Sequence, residues 1–263
     1  MSISRRFTLA VSAAALALSM GAAAQAASHG GMKKVIIGTE GAYPPFNNLE
    51  SDGSLVGFDI ANALCAEMKV ECEFVTQDWD GIIPALLAGK FDAIIASMSI
   101  TEERKEKVDF TNKYYNTPPA VAVPKDSPIT EATDAGLAGK MIGAQSSTTH
   151  SNYAEEKLSS AELKLYPTPD EYKLDIDSGR IDAVIDDVIV LTEWLKSDAG
   201  TCCKLLGTLT PDPVINGEGA GIAIRKGETE LRDMFNEAIA AIRANGTYKE
   251  INDKYFDVDV YGD

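Results

Sequence analysis

Short apolar runs alternate along the chain with longer stretches of helical spacing. Residues 35–39 (VIIGT), 71–76 (ECEFVT), 91–97 (FDAIIAS), 120–124 (AVAVP), 141–144, 163–166 and 181–186 (IDAVID) are short, apolar or β-branched, and bounded by Gly, Pro or polar residues. That pattern predicts buried strands. Between them, residues 57–68 (GFDIANALCAEM) set Ile60, Leu64 and Met68 on one stripe, the spacing of an amphipathic helix. Helices are likewise predicted over 82–87, closed by Gly89, over 151–159, over 172–178 ending at Gly179, from after the strand end that carries Asp186 and Asp187 to about Lys196, and over 231–244. The hydroxyl-rich loop QSSTTH (145–150) supplies N-cap residues for the 151–159 helix. Tyr43-Pro44-Pro45-Phe46 reads as a rigid loop, because proline fits neither helix interior nor ladder. Trp79 is expected in a loop, 114–119 (YYNTPP) as a connection, and the tail 247–262 (TYKEINDKYFDVDVYG) is expected to pack a last short helix. Strands alternating with helices predict an α/β fold with mainly parallel sheets flanked by helices.

Two segments share one grammar, AGKFDAIIAS (88–97) and SGRIDAVIDD (178–187): helix end, Gly, a basic residue, then a strand. The same unit used once in each half suggests two similar lobes. The glycines of GEGAGIAIRK (217–226) have the wrong spacing for a phosphate loop, and no helix opens directly after them. They read as a hinge returning the chain to the first lobe.

The N-terminus changes the compartment. Arg5 and Arg6 precede an apolar run, 7–18, and small residues ending in Ala24-Gln25-Ala26. This is the layout of a cleaved export signal over 1–26, too short for a membrane span of about 20 residues. The mature chain is expected in the periplasm, and no further segment is apolar enough to span or to tether a receptor's sensing domain. Removing Arg5 and Arg6 takes the formal charge from −16 to −18. Such an acidic surface argues against nucleic acid or anionic lipid as partners. Export permits disulfides, and Cys65 and Cys72 could close a small loop at a helix end. Adjacent Cys202 and Cys203 could pair with each other, pair elsewhere or stay reduced. With His29 and His150 as the only histidines and no C-x-x-C, neither a metal nor a cofactor is expected.

The candidate chemistry lies between 78 and 110. Ser97, Ser99, Thr101 and Arg104 follow the 91–97 strand, and ligands of open α/β sheets bind beyond strand carboxyl ends. Hydroxyls and a planar guanidinium there suit a carboxylate. Taken by itself, Arg104 reads equally well as a helix-face partner of Glu102, Glu103 or Glu106.

A resemblance weighs between these readings. IGTEGAYPPFN (37–47), GFDIANALC (57–65), DWDGIIPALLAGKFDAIIASMSIT (78–101), SGRIDAVIDD (178–187), GEGAGIAIRK (217–226) and ANGTYKEINDKYF (244–256) occur in this order along nearly the whole mature chain. The chain thereby resembles the extracytoplasmic solute-binding proteins of polar amino-acid ABC importers, in the group for lysine, arginine, ornithine, histidine and opines. The resemblance implies a type II periplasmic-binding-protein fold: lobe 1 over 27–115 plus 220–263, lobe 2 over 116–219, two hinge strands, and closure around the ligand. It implies that Arg104 clamps an α-carboxylate with Ser97, Ser99 and backbone groups at Thr148 and Thr149, and that Asp187 takes the α-ammonium. Tyr43 and Trp79 match aromatics sandwiching the ligand side chain, and Glu40 an acid meeting a distal positive charge. Ala96, Met98 and Gln145 complete the expected ligand-binding set. Asp186 and Asp187 should face opposite sides of their strand, so one of the two is expected in the pocket. His150 is either a rim residue or a solvated helix start.

The implied function is capture of a cationic amino acid by a monomer that delivers it to a membrane permease. An enzyme on the same fold, a dehydratase of prephenate-like acids, is the alternative; it would need Glu40 or His150 as general acid or base. The chain departs from the family pattern in three places: it lacks the second acid after residues 57–60, it has Ala96 where some members have serine, and Gln145-Ser146-Ser147 replaces the usual Gln-Gly loop.

Overall fold

The structure, a computed structural model, describes residues 31–52 and 55–262; the export segment expected over 1–26 lies outside them. The first part of the chain forms β1 (Lys34–Thr39), β2 (Ala42–Tyr43), β3 (Asn47–Leu49), β4 (Leu55–Val56), α1 (Asp59–Met68), β5 (Glu71–Thr76), α2 (Trp79–Leu87), β6 (Ala93–Ile94), α3 (Glu102–Lys105) and β7 (Val108–Tyr115). The middle part forms β8 (Pro119–Pro124), β9 (Met141–Gln145), α4 (Thr149–Lys157), β10 (Glu162–Tyr166), α5 (Pro169–Asp177), β11 (Ala183–Asp187), α6 (Val188–Lys196), β12 (Cys203–Thr208) and α7 (Pro213–Asn216). Then follow β13 (Ala220–Arg225), α8 (Thr229–Ala244) and α9 (Thr247–Tyr255).

These strands build two five-stranded sheets, β5-β1-β6-β13-β7 and β10-β9-β11-β8-β12, and a small antiparallel ribbon β2-β3-β4. In the first sheet β1 runs parallel to β5 and β6, while β13 opposes both β6 and β7. In the second, β9 runs parallel to β10 and β11, while β8 opposes β11 and β12. Each sheet is thus mixed, with its fourth strand reversed against the others. The chain leaves the first sheet after Tyr115, enters the second at Pro119, and returns between Thr208 and Ala220.

Both faces of both sheets are covered, so successive strand residues enter different cores. Ile222 and Ile224 pack with α1 and α8 around Leu64 and Phe235, while Ala223 between them joins Ile82, Phe91 and Met98 under α2. In the second sheet Val121 and Val123 pack with Ile142 and Ile185, and Ala122 joins Tyr172, Val184 and Trp194 on the opposite face. Cys65 and Cys72 are joined, tying α1 to β5, and Cys202 and Cys203 are paired with each other. Among the described residues no helix is long and apolar enough to cross a membrane.

Several elements differ from the sequence expectation. The 91–97 strand narrows to Ala93–Ile94, although Asp92 and Ile95 still donate to the carbonyls of Ile36 and Gly38. The chain then bends out at Ser97, whose φ is 57°. Trp79 opens α2 instead of lying in a loop. Tyr43 pairs with Asn47 in the ribbon, because the ladder ends just before Pro44 and the prolines occupy the turn. The 151–159 helix starts at Thr149, since Thr148 and Ser151 cap each other reciprocally. Val108–Tyr115 and Cys203–Thr208 are strands hidden by polar interruptions, and the first of these takes in Tyr114 and Tyr115 of the expected connection.

Candidate functional site

Glu40 and Tyr43 follow β1, residues 96–99 follow β6, Gln145 ends β9, and Asp187 ends β11 and caps α6. The expected site residues therefore come from the carboxyl ends of parallel strands in both sheets, where helix N-termini also converge. The two sets meet face to face. Gln145 Nε2 donates to Glu40 at 2.5 Å, Trp79 Nε1 to the Ser147 carbonyl at 3.2 Å, Arg104 Nη2 to the same carbonyl at 3.1 Å, and Ser146 Oγ to Asp80 at 3.1 Å. Ser99 and Thr149 hydroxyls lie 3.3 Å apart, and the Tyr43 hydroxyl donates to Asp186.

Between them lies a cavity of about 320 Å³ lined by Glu40, Tyr43, Trp79, Ala96, Ser97, Ser99, Arg104, Gln145, Thr148, Thr149 and His150. A second cavity adjoins it, sharing Tyr43, Ser97, Ser99, Thr149 and His150, and Asp187 lines this one. Met98 lines neither of them: its side chain is fully buried in the core with Trp79 and Phe91. The expectation placed Met98 in the pocket by its neighbours, but the backbone turn at Ser97 sends its side chain into the sheet face beneath α2.

Arg104 is held by carbonyls. Its Nη1 donates to the Ser99 carbonyl at 3.0 Å and its Nη2 to that of Ser147, so two neutral dipoles orient the charge without neutralising it. The Trp79 ring centroid lies 5.4 Å from its guanidinium carbon, a cation–π distance. Burial pushes the guanidinium down to about 10, against the pull of Glu103, which leaves it protonated at neutral pH. The N-terminus of α4 lies beside it. There the Thr148 hydroxyl is spent on the helix cap, accepting from the Ser151 N–H and donating to the Gln145 carbonyl. What α4 offers a ligand is thus its N-terminal dipole together with the Thr149 hydroxyl.

The acids answer on the other side. Asp187 is buried, accepting from the Ile189 N–H at 2.7 Å and from the Thr117 hydroxyl. Burial raises its carboxyl to about 6, against the help of Thr117, His150 and Ile189. Burial likewise raises Glu40 to about 7; Gln145 opposes the shift, and Asp186, Asp170 and Asp78 add to it. A cation placed between Glu40 and Asp187 would lower both.

Ser97, which lines the cavity, and Ser147, which is bonded to the lining Arg104 and Trp79, hold φ of 57°, a left-handed conformation that costs a non-glycine residue roughly 1–2 kcal/mol. At Ser97 the bend lets the N–H reach the Tyr114 hydroxyl at 2.9 Å; at Ser147 it aims the carbonyl at Arg104 and Trp79. Ser147 was not expected in the site, because its contribution is a backbone carbonyl, which side-chain identity does not betray. His150 is a lining residue rather than a solvated helix start, with Nδ1 3.2 Å from Asp186. Asp186 and Asp187 are both buried, but of the two only Asp187 lines a cavity, as the alternation along the strand predicts; Asp186 lines neither.

Residues 35–258 match the family model of bacterial extracellular solute-binding proteins, family 3. The L-arginine-binding protein of Pseudomonas aeruginosa is 50% identical over 235 residues, 88% of this chain and 90% of the relative. The lysine/arginine/ornithine-binding periplasmic protein of Escherichia coli is 37% identical over 255 residues, 95% of this chain and 98% of the relative. Among solved structures, a Salmonella typhimurium periplasmic binding protein described for high arginine specificity superposes with a TM-score of 0.78 at 32% identity, covering 85% of this chain and 99% of that one.

Proposed function

The chain belongs to the bacterial extracellular solute-binding proteins of family 3, and we propose that it captures a cationic amino acid, arginine before lysine or ornithine, for an ABC importer. It is a binding protein and not an enzyme, as its relatives are. In this reading an export signal over 1–26 sends it to the periplasm, where a single chain carries the ligand to the membrane permease.

The observation that carries the reading is the opposition of charge across two adjoining cavities. Arg104, oriented by carbonyls, lines the first together with Glu40, and Asp187 lines the second. An amino acid has one carboxylate and one ammonium, and burying both requires a partner for each. Arg104, Ser99 and the α4 N-terminus would take the carboxylate, Asp187 the ammonium, and Glu40 a distal guanidinium or ammonium. Tyr43 and Trp79 would flank the aliphatic stem. Lobe 1 (27–115 and 220–263) and lobe 2 (116–219) would each hold part of the ligand, so binding favours the closed arrangement.

Calorimetry with arginine, lysine, ornithine, histidine and octopine tests this. Micromolar or tighter binding of at least one cationic amino acid is expected; no binding to any of them would overturn the reading.

A further inference from the structure

Asp186 has no role in the site as described so far. It is 2% exposed and lines neither cavity. Its carboxylate accepts from the Tyr43 and Tyr172 hydroxyls and, at 2.7 Å, from the Asp187 N–H; His150 Nδ1 lies 3.2 Å away. Tyr172, His150 and Asp187 belong to the second sheet's segment, as Asp186 does. Tyr43 belongs to the first, 143 residues away in sequence. The carboxylate is therefore assembled within one segment and completed by a hydroxyl from the other.

We propose that Asp186 is a positioning residue of the binding site, capturing the Tyr43 hydroxyl across the cleft and so fixing the Tyr43 ring as a cavity wall when the cleft is closed. The inference rests on the cleft being the amino-acid site. A phenol donating to a carboxylate in water-poor surroundings is among the stronger hydrogen bonds. The phenol stays a donor, because burial and the nearby Asp186 and Asp187 charges push its ionisation well above the usual range. Among the described residues the ring stacks loosely on Phe46, centroids 6.4 Å apart, and its hydroxyl is the contact that reaches the other segment. The same Asp186 oxygen accepts from the Asp187 N–H, so the grip on Tyr43 also steadies the backbone of the ammonium-facing acid.

The test is a double-mutant cycle of Tyr43→Phe and Asp186→Asn in the mature chain, read by arginine calorimetry and stopped-flow dissociation. Tyr43→Phe keeps the ring and removes the hydroxyl. Each single change is expected to weaken arginine binding about tenfold (~1.4 kcal/mol), chiefly through faster dissociation. The double variant should bind no worse than the weaker single, since both remove one contact. Additive losses, or unchanged dissociation in Tyr43→Phe beside a lowered Tm in Asp186→Asn, would overturn the proposal and leave Asp186 with a folding role. If the unaltered chain binds no cationic amino acid, the functional reading fails by itself. The contact is then judged on thermal unfolding of the empty chain: coupled losses support it and additive losses overturn it.

Discussion

Arg104 and Ser147 are bonded across the cleft, the guanidinium Nη2 donating to the serine carbonyl at 3.1 Å. The same carbonyl accepts from Trp79, so one strained serine orients both the cation and the ring beneath it. A carbonyl orients a guanidinium but leaves its charge for a carboxylate. Arg104→Ala is expected to abolish arginine binding, a loss of roughly a hundredfold or more, about 2.7 kcal/mol upward. Arg104→Lys keeps the charge without the fork and should also bind at least about tenfold more weakly than arginine-bearing protein. Calorimetry with both variants checks this, and full affinity in Arg104→Ala would remove the residue from the site.

Glu40 should set the preference for cationic side chains. One carboxylate oxygen is held by Gln145, which leaves the other available to a distal cation. Glu40→Gln is expected to lower arginine affinity about 10- to 100-fold, the worth of a buried charged contact. Binding of neutral glutamine should change far less. Competition between the two ligands measures the ratio; parallel losses would mean that Glu40 holds the fold of the cleft and not the ligand's charge.

Acidification should weaken binding while stabilising the empty protein. Burial raises Glu40 to about 7 and Asp187 to about 6, and a cationic ligand needs both ionised. Arginine affinity should therefore hold above neutral pH and fall through the window between those values, by at least about tenfold from pH 8 to pH 5. The stability sign is opposite. Both folded values lie above the unfolded ones, so the folded state binds more protons and gains stability from these two groups as pH falls toward about 4.5. Titration calorimetry and thermal unfolding across this range give both slopes. Flat affinity would show that neither acid contacts the ligand.

How much of this was legible in the sequence depended on the range of the interaction. Local patterns carried the alternation of strands and helices, and residue identities in order carried the resemblance and with it Glu40, Arg104 and Asp187. Side-chain direction was lost where backbone bent: Ser97 turns out of the sheet, so Met98 goes to the core while Ala96 and Ser99 face the cavity. Val108–Tyr115 was invisible because its strand runs VDFTNKYY, and only neighbouring β13 makes sense of it. The Tyr43–Asp186 contact is long-range, and nothing near either residue announces it.

Gly38 shows how a backbone atom sets the site's foundation. It lies in β1, two residues before Glu40, paired with Val75 and Ile94 on its two sides. A Cβ there would stand 2.5 Å from the Phe91 ring, which is itself 1% exposed. Neither can retreat, since Gly38 is fixed by ladders on both sides and Phe91 packs with Ile82, Leu86 and Val108. Gly38→Ala should therefore destabilise the protein by roughly 1–3 kcal/mol, the usual cost of overpacking. In a chain of this size that is about 2–4 °C of Tm for each kcal/mol. A shaved ring should relieve the clash, so Gly38→Ala combined with Phe91→Leu should be no less stable than Phe91→Leu by itself. Thermal unfolding of the three variants decides it. Additive losses would place the cost of the alanine in the β1 backbone and not in the Phe91 ring.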